Sequence, residues 1–423
     1  MSDRPVADFA LIGASELVTC AGAAPAAGAQ QKRVGVLEDG AVAARSGRIV
    51  WVGPERLLDR EVDVLPGATR IDVRGRAVLP GLVDCHTHLV WAGDRADEFE
   101  RRLAGATYSE IAAAGGGILR TVDITRDTPT DELAWAAGDR MDRLARFGVT
   151  GIEVKSGYGL ETDSEIRLLE AARIAARTRP YEVVTTFLGA HTFPREARGA
   201  ATARDHYVDL VCNEMIPQVA ERGLARFADV FVDQHAFSLA EARRVLETAR
   251  KHGLGLKVHA DQLASDGAAE LAAELGATSA EHLEHVSDRG IAALAAAGTI
   301  AVLLPSASLF LRSTHTAPGR RLVDCGVPVA LSTDLNPGSS PCESLPFVLQ
   351  LGCLLCGMTV DEALVAGTIN AAAACGISDV AGSIERGKRC DLLVLDAEQR
   401  CQLIYQLAAP RIYMVIANGR IVS

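Results

Sequence analysis

A chain of 423 residues, 48% of them hydrophobic, is long enough to bury a large core and to form two or three domains, or one barrel with additions. Its formal net charge of -11, with scattered Lys and Arg, argues against nucleic acid or an anionic membrane surface as partner and favours a small molecule. No stretch approaches the roughly 18 uninterrupted apolar residues of a membrane helix, and the opening MSDRPVADFALIG lacks the basic flank and cleavage site expected of a signal peptide.

The first seventy or so residues contain short β-rich pieces at 9–12, 34–37, 40–44, 47–52 and 71–73, separated by turn signals as in a small antiparallel sandwich. Residues 21–31 read as a surface turn. The same texture returns at 389–396, 412–417 and 420–422 around the Asn418–Gly419 turn. The expected organisation is therefore a composite β-sandwich domain from residues 1–75 and 380–423, enclosing a second domain at 76–379.

Within 76–379, strands alternate with Ala, Leu, Glu and Arg-rich helical patterns, the signature of βα units and a parallel sheet. Candidate strands fall at 77–86, 151–156, 183–191, 229–235, 255–259, 278–282, 300–305 and 328–333. Eight such units close into an α/β (β/α)8 TIM barrel, whose active site lies at the C-terminal ends of the strands. The connection from His88 to Phe147 is longer than one helix needs, and Gly115, Gly116 and Gly117 read as a flexible active-site loop.

Cys85, Cys212, Cys325, Cys353, Cys356 and Cys375 lie inside apolar elements, where free cysteine behaves as a small hydrophobe, so a reducing cytoplasm is expected. Cys353 and Cys356 form a CxxC, but no second pair follows at zinc-ribbon spacing.

The strand ends carry the chemistry. Taken in order they are His86 and His88, Lys155, His191, Asp233 with His235, His259, His282 and Asp334, which account for six of the ten histidines. Core packing would not place polar groups repeatedly at the same end of successive strands, whereas a metal site on a barrel rim would. His86 and His88 lie two apart and share a face. With His259 and Asp334 they offer nitrogen and carboxylate ligands suited to one zinc or iron ion, which would activate a water. His282 is placed to orient substrate or move a proton, and His285 reads as structural.

This order of HxH after strand one, His after strands five and six, and Asp after strand eight resembles the amidohydrolase superfamily, as does the closing GSIERGKRCDLLVLD. Binuclear members hold a second metal on a lysine after strand four, but VFVDQHAF has none there, so a single ion is expected and Lys155 reads as a cation that is structural or stands behind the metal ligands. The finer strings WAGDRADEFERR, AAGGGILRTV, EVKSGYGLE, LGAHTFP, VHADQL and STDLNPGSSP resemble the branch that opens 4-imidazolone-5-propanoate to N-formimidoyl-L-glutamate in histidine degradation. That resemblance implies that Arg95 holds the propanoate arm, a role suited to a bidentate fork. It also implies that Tyr158, His191, Gln262, Asn336, Gly338 and Ser339 bind substrate or product, and that the protein is a homodimer. In the implied metal-assisted hydrolysis, Asp334 and His282 share the proton transfers, because the Gln262 amide cannot act as a base. Ser306 and Ser308 depart from the Gly and aromatic residue expected there. The competing readings are another deaminase or cyclic amidase of the superfamily acting on a nitrogen heterocycle, whose neutral ring would not need Arg95, and a non-catalytic scaffold, which would not need the full ligand set.

Overall fold

The fold is given by a computed structural model, which describes every residue except 1–3, 107–109, 111–114, 199–200, 235 and 410. The chain starts with four strands, β1 (Val6–Val18), β2 (Val36–Arg45), β3 (Arg48–Pro54) and β4 (Asp63–Pro80). Their two-residue periodicity gives two apolar faces. Phe9, Leu11, Val42, Ala44 and Ile49 pack on one side, and Ala7, Ala10, Ile12, Ala41 and Ala43 pack on the other against Leu58 and Val62.

Eight parallel strands follow in register order: β5 (Leu82–Asp84), β6 (Val149–Lys155), β7 (Glu182–Ala190), β8 (Phe227–Phe231), β9 (Gly255–Ala260), β10 (Ser279–His282), β11 (Ile300–Leu303) and β12 (Val329–Leu331). Amphipathic helices such as Thr130–Arg146 and Leu239–Lys251 connect them, the latter opened by a Ser238–Glu241 capping box. The chain then returns through β13 (Leu392–Leu395), β14 (Ile412–Ala417) and β15 (Arg420–Ile421), which join β4, β1, β2 and β3 in one seven-stranded sheet. That sheet is mixed rather than wholly antiparallel, because β1 and β4 run parallel.

Two sequence expectations change. The apolar run 77–86 is not one strand: β4 stays in the terminal sheet as far as Pro80, which pairs with Leu392, and β5 starts at Leu82. Gly81 makes the crossing. Its N–H donates to the Asp391 carbonyl at 2.9 Å, and a β-carbon there would come within 2.2 Å of Thr150 Oγ1. Residues 21–31 are not merely a surface turn either, since they end in a 3-10 turn (Gly28–Lys32) that buries Gln31 completely. The Gln31 amide donates to the Val329 carbonyl at 3.0 Å and accepts from the Val329 N–H at 3.1 Å, so a side chain supplies the partners that a neighbouring strand would give β12.

Closure of the barrel positions the site. The last and first strands meet beyond their ends, where the Asp334 N–H donates to the His86 carbonyl at 3.1 Å and the His88 N–H to the Leu335 carbonyl at 2.9 Å. Buried Asp84 strengthens this seam by accepting from the Thr333 N–H at 3.0 Å and from the Ser332 and Thr333 hydroxyls. The Gly115–Gly117 run opens helix Ile118–Asp127, and Gly117 donates to Glu98 Oε1 at 3.0 Å. His235 lies outside the described residues.

Candidate metal centre and active site

Parallel strands aim their alternate residues into the barrel, and here several of those residues are charged. Glu153 and Lys155 of β6, Asp229 of β8, Lys257 and His259 of β9 and Glu281 of β10 face one another, all but His259 fully buried and His259 nearly so. His86 and His88 close the layer from the segment after β5. Glu281 and His282 are consecutive and would point to opposite faces of a regular strand. A left-handed backbone at His282 (φ 79°) and Leu283 (φ 70°) ends β10 and swings the His282 ring back to 5.4 Å from that of His259. Asp334 is also left-handed, with φ 53°. Strained non-glycine residues of this kind are held by their surroundings and gather at functional sites.

His86 Nε2 and His88 Nε2 are 3.3 Å apart, and Asp334 Oδ1 lies 3.5 Å from the first and 3.6 Å from the second. A tetrahedral ion with bonds near 2.05 Å has ligand–ligand edges of about 3.3 Å, so this triangle fits one face of such a site. His259 Nε2, buried with no hydrogen-bond partner among the described residues, lies beside this triangle, with a ring centroid 4.5 Å from that of His86. An orphaned imidazole nitrogen next to such a triangle suits a cation. His282 also brings a nitrogen close to those of His86 and His259.

The far sides of the histidines are held by carboxylates. Glu281 Oε2 is 2.6 Å from His86 Nδ1, and Asp229 Oδ2 is 3.0 Å from His259 Nδ1. Such partners fix the ring tautomer and leave Nε2 for a metal. Burial alone would favour neutral His86, but Glu281 lifts it to about 9. Burial pushes His259 down, and pushes His88 down further together with the neighbouring His191. Burial would also raise Asp334, yet the hydrogen bond and charge of His86 hold it below the usual carboxylate range.

The remaining candidates form a mouth above this centre. The His191 ring stacks on His88 at 5.0 Å, and its Nδ1 is 3.0 Å from the Gly157 carbonyl. Burial and the neighbouring His259 lower His191 to about 3, so it is neutral, with Nδ1–H donating to Gly157 and Nε2 left as an acceptor. Tyr158 is buried with its ring 5.9 Å from that of His88. Arg95 is half-buried just before helix Ala96–Leu103, its Nε and Nη2 each 2.8 Å from Glu98 Oε2.

Asn336 organises the turn after Asp334. Its amide donates to the Asp334 carbonyl at 2.6 Å and to Ser339 Oγ at 2.9 Å, and its Oδ1 accepts from the N–H groups of Gly338 and Ser339 at 2.8 Å. The Asn336 side chain is thus engaged in shaping the loop, and Pro337, Gly338 and Ser339 are the half-exposed members of the turn. Gln262 is half-buried shortly after β9. Ser306 Oγ donates to the Thr333 carbonyl at 2.8 Å and Ser308 Oγ to Glu284 Oε1 at 2.9 Å, so both serines are tied into the rim. His285 packs against His315, with ring centroids 4.5 Å apart.

Sequence reasoning names the rim residues but misses Glu98, Glu153, Asp229, Lys257 and Glu281. The available signal was the alternation of charge within apolar strands, in GIEVK, ADVF, GLKVH and SAEH. At β8 the strand itself ends at Phe231, and Asp229, inside the strand, reaches His259.

The sequence model of the amidohydrolase family matches residues 77–422. The chain is 51% identical over 420 residues to an imidazolonepropionase of Symbiobacterium thermophilum, covering 99% of this chain and 98% of that protein. It is 47% identical over 412 residues to an imidazolonepropionase of Geobacillus kaustophilus, covering 97% and 96%. Among solved structures it resembles a zinc-bound adenosine deaminase from Xanthomonas campestris, with a TM-score of 0.72 at 21% identity over 99% of this chain and 93% of that one.

Proposed function

The chain belongs to the amidohydrolase family, and from that premise we propose that it opens the ring of 4-imidazolone-5-propanoate with one water to give N-formimidoyl-L-glutamate, the reaction of an imidazolonepropionase in histidine degradation. The observation that carries the reading is the adjacency of two chemistries. A buried triangle of His86, His88 and Asp334 adjoins a half-buried turn, Gly338–Ser339, against which the Arg95 guanidinium lies. A neutral heterocycle would not need the second.

His86, His88, His259 and Asp334 hold one zinc or iron ion, since imidazole and carboxylate suit both. When bound, the ion supplies Lewis acidity that makes a water nucleophilic near neutral pH and polarises the ring carbonyl. Arg95 receives the propanoate carboxylate in a fork that Glu98 pre-orients from the other side. His191 Nε2 accepts from a ring N–H, and Tyr158 offers its hydroxyl, kept protonated by burial and the nearby Asp334. Gln262 contacts the ring from the β9 side.

Asp334 takes the proton of the attacking water as oxygen adds to the ring carbonyl carbon. The ring C–N bond then breaks, leaving a carboxylate, and the departing nitrogen receives a proton from Asp334 or His282. Asp334, held below its ordinary value by His86, is ionised and so free to accept that proton.

The same proposal covers the setting. Residues 1–80 with 380–423 and residues 81–379 act as two domains, the boundary falling at Gly81, where the chain leaves the terminal sheet, and not at 75. The chain works in the cytoplasm as a homodimer, and its ten free thiols suit a reducing compartment. No helix among the described residues is long and apolar enough to cross a membrane.

The test is product identification. Purified metal-loaded protein incubated with 4-imidazolone-5-propanoate in 18O-water should give N-formimidoyl-L-glutamate with the label in its new carboxylate. Deamination of the substrate, or an unlabelled product, would refute the reading.

A further inference from the structure

Beneath the candidate metal centre lies a closed charge cluster of Glu153, Asp229, Glu281, Lys155 and Lys257, all fully buried. Lys155 Nζ is 2.8 Å from Asp229 Oδ2, 2.9 Å from Glu281 Oε2 and 3.1 Å from Glu153 Oε2. The first two are the oxygens that face His259 Nδ1 and His86 Nδ1. The two lysines differ in this respect. Lys257 Nζ lies 2.9 Å from Glu153 Oε1 and 3.2 Å from Glu281 Oε1, so its nearest oxygen on Glu281 is not the one nearest His86.

Asp229 depends on Lys155 more than Glu281 does. Glu281 Oε1 is also held by Ser279 Oγ at 2.9 Å, whereas among the described residues Asp229 Oδ1 has no hydrogen-bond partner and Oδ2 lies against Lys155 and His259. The Lys155 main chain reaches the same place, its N–H donating at 2.8 Å to the carbonyl of Thr87, between His86 and His88.

We propose that Lys155 is a positioning residue for the metal centre: its single ammonium clamps the two carboxylates that orient His86 and His259, so one cation sets two ligand rings from different strands together. The proposal rests on reading those histidines as ligands. Carboxylate partners of metal-binding histidines typically change affinity 10–100-fold when lost, because they fix ring orientation and tautomer. Loss of Lys155 would leave the carboxylates present but free to repel each other and rotate, with His259 the more disturbed.

The test compares metal-free proteins. Zinc affinity is read by competition with a chromophoric chelator, and coordination geometry by the visible absorption of added cobalt(II). Lys155→Met removes the clamp. Glu153→Gln/Lys155→Met removes it while keeping the cluster's net charge, because Glu153 faces no histidine, and it serves also where the single variant does not fold. Lys257→Met removes an equally buried lysine whose contact with Glu281 is through the other oxygen.

Both Lys155 variants should lose zinc affinity by about 10–100-fold with an altered cobalt spectrum, while Lys257→Met keeps the wild-type spectrum and stays within about threefold. Equal loss in Lys257→Met, recovery in the charge-balanced double variant, or failure of both Lys155 variants to fold would overturn the proposal, since Lys155 would then serve the fold and not the site. His86→Ala separates the underlying reading. If it binds zinc like the wild type, the ligand assignment falls and this proposal with it; if it loses zinc while both Lys155 variants retain it, only the positioning role falls.

Discussion

The Arg95 guanidinium lies directly against Gly338: a β-carbon added to Gly338 would come within 2.1 Å of Arg95 Nη1. The absence of a side chain there lets the arginine settle on the turn that follows Asp334. The obstructing atom is the far end of a flexible side chain, so Gly338→Ala should fold normally and displace Arg95. KM for 4-imidazolone-5-propanoate is expected to rise by about tenfold, with zinc content unchanged, as checked by steady-state kinetics and metal analysis on the same sample.

Arg95→Ala removes the fork itself. A charge-assisted contact of this kind contributes about 1.5–3 kcal/mol, so KM should rise by about 10–100-fold, much more than metal content changes. Parallel loss of metal would mean that Arg95 supports the centre and does not grip the substrate.

Asp334→Asn keeps the shape of the turn but cannot accept the proton of water. Turnover should fall by about 10²–10⁴-fold, the usual range for a positioned acid–base group. His282→Asn should lower kcat with little change in KM. If Asp334→Asn keeps near-normal activity, Asp334 leaves the mechanism.

Glu362 gives a pH-dependent stability term remote from the site. Its carboxylate caps helix Val360–Ala366 together with Thr359 and pairs with Arg320 at 2.7 Å. Burial would raise it, but the Arg320 and Thr359 hydrogen bonds hold it below its ordinary value. A depressed folded pKa stabilises the protein above the unfolded value of about 4.3 and loses that effect as pH falls through the folded pKa. Glu362→Gln should therefore cost about 1–2 kcal/mol in urea unfolding at pH 7, with the difference from wild type shrinking below about pH 4.

The rim of the barrel was legible in the sequence because the groups that do chemistry are scarce residue types at a repeating position. Eight apolar runs, seven of them ending in or beside a histidine or a charged residue, locate His86, His88, His259, His282 and Asp334 without any knowledge of side-chain direction. What lies beneath the rim was harder to read, since whether Glu153, Asp229, Lys257 and Glu281 point inward depends on strand register. Their partners come from different strands, 24 residues apart for Lys257 and Glu281 and 74 for Lys155 and Asp229. Backbone conformation was equally hidden: the left-handed turn at His282 brings that ring beside His259 although its neighbour Glu281 already faces inward. The split of 77–86 at Gly81 is another case, because an apolar run does not reveal that it serves two sheets.

One strand end joins metal-assisted ring opening to recognition of an anionic arm. The decisive measurement is the rate at which the zinc- or iron-loaded protein consumes 4-imidazolone-5-propanoate, compared with the same imidazolone ring lacking the propanoate. Efficient turnover of the first is expected, lost when metal is removed and restored when it is returned, with a kcat/KM at least about tenfold lower for the second. No turnover of the propanoate by metal-loaded protein, or equal turnover of both rings, would contradict this coupling.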